Sequence, residues 1–327
     1  MASFYRSLVR KYRARVKLLE KHSEKLTVGP RKEGQDDVEI LWPNQRKKYL
    51  FKDIVDLEHV KKALKRAVVY PVKNPELYPL GWPKGILLFG PPGCGKTLIA
   101  TALANEINAA LIDVSPATIM SKWLGEAEKN VKRVFQKARE IAANGTPVII
   151  FIDEVDGLLQ QYSDEVGGEK RARNQFLMEM DGLAEKMNNR LLVFVIGTTN
   201  KPWNLDIGFI RRFEKRIYVP PPDKRIRKMI FKHYIELLKQ RYEVDENLDL
   251  DTLAELTKGY SSADIYSIVK ETQENIVEEF YEKNNGVGKP RKITTEDFIK
   301  VIKNRKPSID QNMLEAYKIW YKKHGTH

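Results

Sequence analysis

Only one cysteine, Cys94, occurs in 327 residues, so no disulfide can form within the chain, which fits a reducing compartment. Long apolar runs are missing too. The most apolar stretch, Val148-Ile149-Ile150-Phe151-Ile152, is cut off by Asp153, far short of the roughly 20 residues that span a bilayer. The first residues lack the apolar core of a secretory signal. A globular, cytoplasmic protein is therefore expected. Acidic residues are in deficit: 44 Asp and Glu stand against 57 Lys and Arg, a formal charge of +13. The excess gathers at the start, where residues 1–52 hold 14 basic and 6 acidic side chains. Such an arm could attract nucleic acid, anionic lipid or an acidic protein, or could simply be a solvated face. Hydrophobic residues make up 42%, enough for one large core or two modest ones.

Within residues 1–26 the apolar side chains Tyr5, Leu8, Val9, Tyr12, Val16 and Leu19 follow the spacing of one helix face. Arg6, Arg10, Lys11, Arg13, Arg15 and Lys17 occupy the rest of that helix. It would pack on its own domain or a neighbouring protomer, or serve as a docking or membrane-surface element. Residues 27–48 mix Gly, Pro and charge without periodicity and read as a linker. From 49 to 221, short β-rich runs alternate with helical stretches, the pattern of an α/β domain with a parallel sheet covered on both faces. Pro220-Pro221-Pro222 ends it, because three prolines allow neither helix continuation nor strand pairing. Residues 222–327 read as a small all-α domain, with helices near 224–240, 250–257, 262–282, 295–304 and 312–323.

Gly90-Pro91-Pro92-Gly93-Cys94-Gly95-Lys96-Thr97 matches G-x-x-x-x-G-K-[ST], directly after an apolar strand and at the mouth of a helix. Such a loop turns backbone N–H groups inward around phosphates, and the helix N-terminus adds positive potential. Lys96 would reach the β- and γ-phosphates and Thr97 would offer a hydroxyl to Mg²⁺. Pro92, Gly93, Cys94, Gly95, Lys96, Thr97 and Leu98 make up the expected ATP cradle. Asp153 and Glu154 follow an apolar strand. Asp153 would orient the metal or its waters, and Glu154 would act as general base on the attacking water. With both acids present, hydrolysis is predicted rather than nucleotide binding alone. Asn200, at the tip of the next strand, would orient that water.

From Phe51 to Pro307 the sequence resembles the AAA family of ATPases. Five ordered motifs carry the resemblance: the P-loop, Asp153-Glu154, Asn200, Arg211-Arg212, and Gly259-Tyr260-Ser261-Ser262-Ala263-Asp264. It implies a P-loop NTPase with a parallel five-stranded sheet, helices on both faces and a small all-α lid. It also implies that Arg211 and Arg212 are arginine fingers serving a neighbour's nucleotide, and hence a ring, six-membered when active. The adenine would sit among Asp53, Ile54, Ile230, His233, Ser262 and Ala263. One departure is Asp56, where the family's Phe-x-Asp-Ile-x-Gly carries glycine. If that position needs a positive φ, Asp56 tolerates it poorly.

Ser121-Lys122-Trp123-Leu124-Gly125-Glu126 lies where AAA translocases place the aromatic loop that grips extended polypeptide. Lys122, Trp123 and Leu124 would line the pore, and residues 167–171 would form a second, polar pore loop. The Lys-Trp-Leu-Gly-Glu-Ala-Glu-Lys run, with Lys306-Pro307-Ser308 and a final helix bearing Leu314, Tyr317 and Trp320, is similar to the vacuolar-sorting branch that dismantles ESCRT-III filaments, archaeal cell-division ATPases included. That branch opens with a three-helix recruitment domain, whereas one clear helix precedes Phe51 here. The resemblance implies ATP-driven threading of an ESCRT-III-like protein. The alternatives are a general unfoldase of the proteasome-regulatory kind and a nucleic-acid-stimulated ATPase, which the aromatic pore loop disfavours.

Overall fold

The computed structural model describes residues 38–115, 126–159, 167–184 and 190–326. The expected N-terminal helix and the pore residues Lys122, Trp123 and Leu124 lie outside them. Residues from Glu39 onward belong to one compact unit.

Six strands form its sheet: β1 (Ile40–Leu41), β2 (Gly85–Phe89), β3 (Ala110–Val114), β4 (Val148–Ile152), β5 (Val193–Thr199) and β6 (Lys215–Tyr218). Their order is β1-β3-β4-β5-β2-β6. The five strands from β2 onward pair in parallel, as their continuous apolar runs predict. The sixth, β1, pairs antiparallel to β3, with Ile40 opposite Ile112. Part of the expected linker is therefore built into the domain. Arg46 Nη2 donates to Ala109 O at 2.6 Å, and Asn105 Nδ2 donates to Lys47 O and Tyr49 O. A two-residue strand offers no alternation to read, and its anchors come from distant residues.

One sheet face, carrying Ile86, Leu88, Ile149, Phe151, Phe194 and Ile196, shares a core with α1 (Glu58–Leu64) and α3 (Lys96–Glu106). Between them, α1 passes through a π turn at Lys65–Val69 into α2 (Tyr70–Lys73), where Pro71 has no N–H to give. The alternate strand residues turn toward α4 (Glu126–Ala143) and α6 (Gly167–Ala184). Phe135 meets Phe176 at 5.1 Å, and Phe176 meets Phe209 at 6.0 Å. Residues 167–171, expected as a pore loop, instead open α6. Glu169 to Arg173 are good helix formers, and that local preference prevails over the two glycines before them. The short α5 (Asp156–Leu159) follows β4, and α7 (Ile207–Arg212) follows β5.

The lid consists of α8 (Lys224–Leu238), α9 (Leu250–Leu256), α10 (Ser262–Asn284) and α11 (Thr295–Lys303) around a separate core with Ile230, Phe231, Ile265 and Phe298. Arg227 locks its root: the guanidinium donates to Ala254 O twice, at 2.8 and 3.1 Å, and to Pro222 O at 3.0 Å. The last helix, α12 (Gln311–His324), departs from the expected plan. It packs on the α/β domain, with Trp320 edge-on to Phe89 at 4.5 Å and Tyr317 beside Tyr218 at 5.8 Å. Beyond it, Thr326 Oγ1 accepts from the Arg216 N–H of β6 at 2.8 Å. The amphipathic spacing of α12 shows that it buries a face, but not against which domain. Among the described residues no helix is long and apolar enough to cross a membrane.

Candidate active site

β2 ends at Phe89, the chain turns through residues 90–95, and α3 begins at Lys96. The turn needs left-handed backbone at Gly93 (φ +71°) and Gly95 (φ +90°). At Gly95 an added Cβ would meet nothing within 4 Å, so conformation alone demands glycine there. At Gly93 it would lie 2.6 Å from Ser261 Oγ, because the lid comes down on the loop. The Ala263 N–H, at the start of α10, donates to Gly93 O at 3.0 Å. Lys96 is buried, and its Nζ donates to Gly90 O at 2.9 Å and Pro91 O at 2.8 Å. Burial lowers its pKa, against the opposing pull of Asp153, Asp156 and Glu154. Burial pushes the Cys94 thiol up to about 12, which leaves it a packing group without nucleophilic character.

β4 delivers two acids to the same end of the sheet. Thr97 Oγ1 donates to Asp153 Oδ2 at 2.9 Å, and Thr198 Oγ1 donates to Asp153 Oδ1. The β4–β5 register, with Ile152 opposite Gly197, brings Thr198 beside Asp153. The Glu154 N–H donates to Asp153 Oδ1 at 3.2 Å and Thr198 Oγ1 at 3.3 Å. Glu154 sits at φ +50° with an exposed side chain. That region is uncommon for glutamate and costs about 1–3 kcal/mol, a strain typical of functional positions. Thr199 Oγ1 donates to Asp156 Oδ1 at 2.6 Å. Asn200 follows; its Oδ1 is buried without a partner among the described residues, and its main-chain carbonyl accepts from the Tyr317 hydroxyl.

Thr97 and Asp153 form an adjacent hydroxyl and carboxylate, hard oxygen donors of the kind Mg²⁺ takes. That ion uses one or two protein oxygens and fills its shell with phosphate and water.

Arg212 and Arg211 differ. Arg212 Nε and Nη2 reach Asp181 at 2.9 and 2.8 Å, and Nη1 donates to Gly208 O at 3.3 Å. Arg211 is exposed, and among the described residues no hydrogen bond or ion pair engages it. A cavity of about 230 Å³ lies beside them, lined by Lys84, Met180, Asp181, Arg211, Arg212 and Glu214 among others. Neither guanidinium donates to a described P-loop atom of its own chain.

The expected adenine group is split. Ala263 touches the P-loop, and Ser262 stands beside it at the start of α10. Ile54 lies in the α/β core, with its carbonyl accepting from Lys61 Nζ, while Ile230 lies in the lid core. Asp53 caps the Leu50 N–H, and His233 is exposed. Leu98 is exposed on α3 and Pro92 on the loop. Asp56 does take a positive φ, +60°, as does Leu57 at +62°. The expectation that Asp tolerates the turn poorly is corrected: Asp is among the side chains most often found there, and its carboxylate lies 3.7 Å from Arg225 of α8. Sequence reasoning missed Thr198, Asp156 and Asp181. Thr198 is placed by the β4–β5 register and Asp181 by a helix-to-helix contact, and no local sequence pattern carries either.

Residues 86–221 match the family described as ATPase family associated with various cellular activities (AAA). Residues 283–325 match the Vps4 C terminal oligomerisation domain. The chain is 50% identical to Cell division protein C of Sulfolobus acidocaldarius over 90% of its own length and 77% of that protein's. It is 39% identical to Spastin of Xenopus tropicalis over 84% of this chain and 44% of that one. The chain spans less than half the length of other curated relatives as well, such as 45% of Fidgetin-like protein 1 of Caenorhabditis elegans, to which it is 37% identical over 84% of its own length. The crystal structure of the FIGL-1 AAA domain in complex with ADP, 32% identical, superposes with a TM-score of 0.76 over 92% of this chain and all of that one. With this identity and coverage joined to the P-loop and acidic strand tip described above, the chain belongs to the AAA ATPases.

Proposed function

We propose that this ATPase is a translocase that works as a ring of its own copies, six when active, and threads an ESCRT-III-like filament protein through the ring. One observation supports the ring most directly. Lys96, Asp153, Thr97 and Arg212 are all engaged within the chain, while Arg211 stands exposed and without a partner among the described residues. A guanidinium in that state is suited to an anion carried by another copy. The match to an oligomerisation domain and a neighbour titled Structural Basis for Katanin Self-Assembly, 30% identical with a TM-score of 0.70 over 86% of this chain and 93% of that one, point the same way. The name of the 50% identical relative, Cell division protein C, supports a place in cell division.

In this reading backbone N–H groups of residues 93–97 and Lys96 hold the ATP phosphates, and Thr97 with Asp153 would hold Mg²⁺. The ion, when bound, offsets charge on the β- and γ-phosphates. Glu154 accepts a proton from the water that attacks the γ-phosphorus, Asn200 orients that water, and Arg211 of the adjacent copy neutralises charge on the transferring group. The adenine falls between the Asp53–Ile54 and Ser262–Ala263 segments, with Ile230 and His233 on the lid side. Trp123, with Lys122 and Leu124, grips the substrate, a role that rests on sequence position.

The test compares ATP turnover with a filament-forming ESCRT-III-like protein, with unfolded polypeptide and with DNA, for the parent and Trp123→Ala. Stimulation by the filament protein that disappears in the variant supports threading. Stimulation by unfolded polypeptide alone would move the reading to a general unfoldase. Salt-sensitive stimulation by DNA alone would replace it with a nucleic-acid motor.

A further inference from the structure

Tyr317 is 1% exposed, and its ring packs beside Trp203 at 5.2 Å and Tyr218 at 5.8 Å. Three residues on, one helical turn away, Trp320 presses on Phe89, the last residue of β2 before the P-loop. One helix therefore braces the end of β2, the end of β6 and the loop after β5. For packing alone, phenylalanine would fill the place of Tyr317 equally well. The hydroxyl, however, donates to the main-chain carbonyl of Asn200, the residue read above as orienting the attacking water. That asparagine keeps its Oδ1 buried and unmatched among the described residues. On either side its backbone is already fixed: Thr199 Oγ1 holds Asp156, and the Lys201 N–H donates to Thr199 Oγ1 at 2.9 Å. The Tyr317 hydroxyl tethers the intervening carbonyl. Burial raises the Tyr317 pKa, so the hydroxyl remains a donor across the working range.

We propose that Tyr317 is a positioning residue for ATP hydrolysis: through its hydroxyl, the C-terminal helix sets the peptide plane of Asn200 and thereby the aim of the amide at water. The proposal rests on the reading of Asn200 given above. The Tyr317 hydroxyl, rather than the packing of α12, is then coupled to the chemical step, because its hydrogen bond goes to Asn200 and to no atom of residues 90–97.

The experiment measures kcat and KM for ATP in the full-length protein, at concentrations where light scattering shows full assembly, for Tyr317→Phe, Asn200→Ala, the double variant and Trp320→Phe. Tyr317→Phe should lower kcat about tenfold or more with KM unchanged, the pattern of a displaced catalytic group. In the Asn200→Ala background the same change should alter kcat by less than about twofold, since its target is gone. Trp320→Phe, which loosens the helix but keeps the hydroxyl, should lower the melting temperature more than Tyr317→Phe does and leave kcat near the parent value. An undiminished kcat in Tyr317→Phe overturns the proposal. So does a full tenfold loss in the Asn200→Ala background, or an equal kcat loss in Trp320→Phe. If Asn200→Ala alone keeps parental kcat, the reading of Asn200 falls, and this proposal falls with it.

Discussion

The strand tips and the α7 edge of the same domain are built on opposite plans. At the tips, bonds inside the chain hold Lys96 to two loop carbonyls, Asp153 to Thr97 and Thr198, and Thr199 to Asp156, while Asn200 Oδ1 stays unmatched among the described residues. At the edge, Arg212 is tied to Asp181 while Arg211, the next residue back, is exposed and without a partner among the described residues. The first plan is preorganised for a phosphate chain and a cation, and little rearrangement is needed when charge develops. The second leaves an exposed cation without a partner among the described residues. Under the proposed function the contrast assigns the cradle, the acid pair and Asn200 to one copy and the remaining positive charge to its neighbour.

The largest effect expected from breaking that contrast is at Arg211. Arg211→Ala should reduce turnover roughly 10³–10⁵-fold with ATP affinity nearly unchanged, measured by steady-state phosphate release and by fluorescent-nucleotide titration. Arg212→Ala sharpens the comparison, since it also frees Asp181. A parental rate in Arg211→Ala with a collapse in Arg212→Ala would reverse the roles of the two arginines. Next comes Glu154→Gln, for which single-turnover assays should show a loss of about 10²–10⁴-fold while ATP stays bound. A variant that hydrolyses at the parental rate would remove Glu154 from the general-base role.

Smaller, and on stability, is the brace between the two plans. Trp320→Ala removes a buried indole from Phe89 and should cost about 3–5 kcal/mol in urea unfolding. A cost under about 1 kcal/mol, the scale of a surface change, would mean that α12 does not dock as described. Smallest is Lys84, near the arginine edge. It is 3% exposed, lies over Trp82 at 4.4 Å and donates to Leu191 O at 2.7 Å. Burial lowers its pKa from 10.5 to about 8. In that window the unfolded chain holds the proton that the folded chain has released, so Lys84's contribution favours folding increasingly as pH rises from about 8 toward 10.5. Below about 8 both states carry the proton and the contribution is flat. Lys84→Met should therefore lose stability relative to the parent progressively as pH rises from about 8 to 10. Equal slopes in parallel urea titrations would contradict the shift.

The parts of this molecule that were legible before the structure share one property: their signals are local. β2 and β4 announce themselves as apolar runs, and the P-loop and the Asp153-Glu154 pair lie within a few residues of the strands that present them. The lid helices follow from capping residues such as Ser261, whose hydroxyl and N–H exchange bonds with Asp264. What stayed hidden depends on long-range pairing. Thr198 reaches Asp153 only through the β4–β5 register, and Asp181 meets Arg212 across a helix-to-helix contact 31 residues apart. The spacing of Leu314, Tyr317 and Trp320 shows one buried face for α12, yet the sequence assigned that face to the lid. Aromatic partners on β2 and β6 decide otherwise. A two-residue strand such as β1 is below the length at which periodicity carries information.

The claim that the site is finished by a neighbouring copy is tested most directly by mixing. Arg211→Ala and Glu154→Gln are each purified, shown to be nearly inactive, then combined in equal amounts and assayed for phosphate release. In a mixed ring, an Arg211→Ala copy keeps Glu154, and its Glu154→Gln neighbour can lend Arg211, so turnover should rise well above the sum of the two separate rates. Turnover that stays at that sum, in a mixture shown by light scattering to assemble together, would mean that Arg211 does not act between copies.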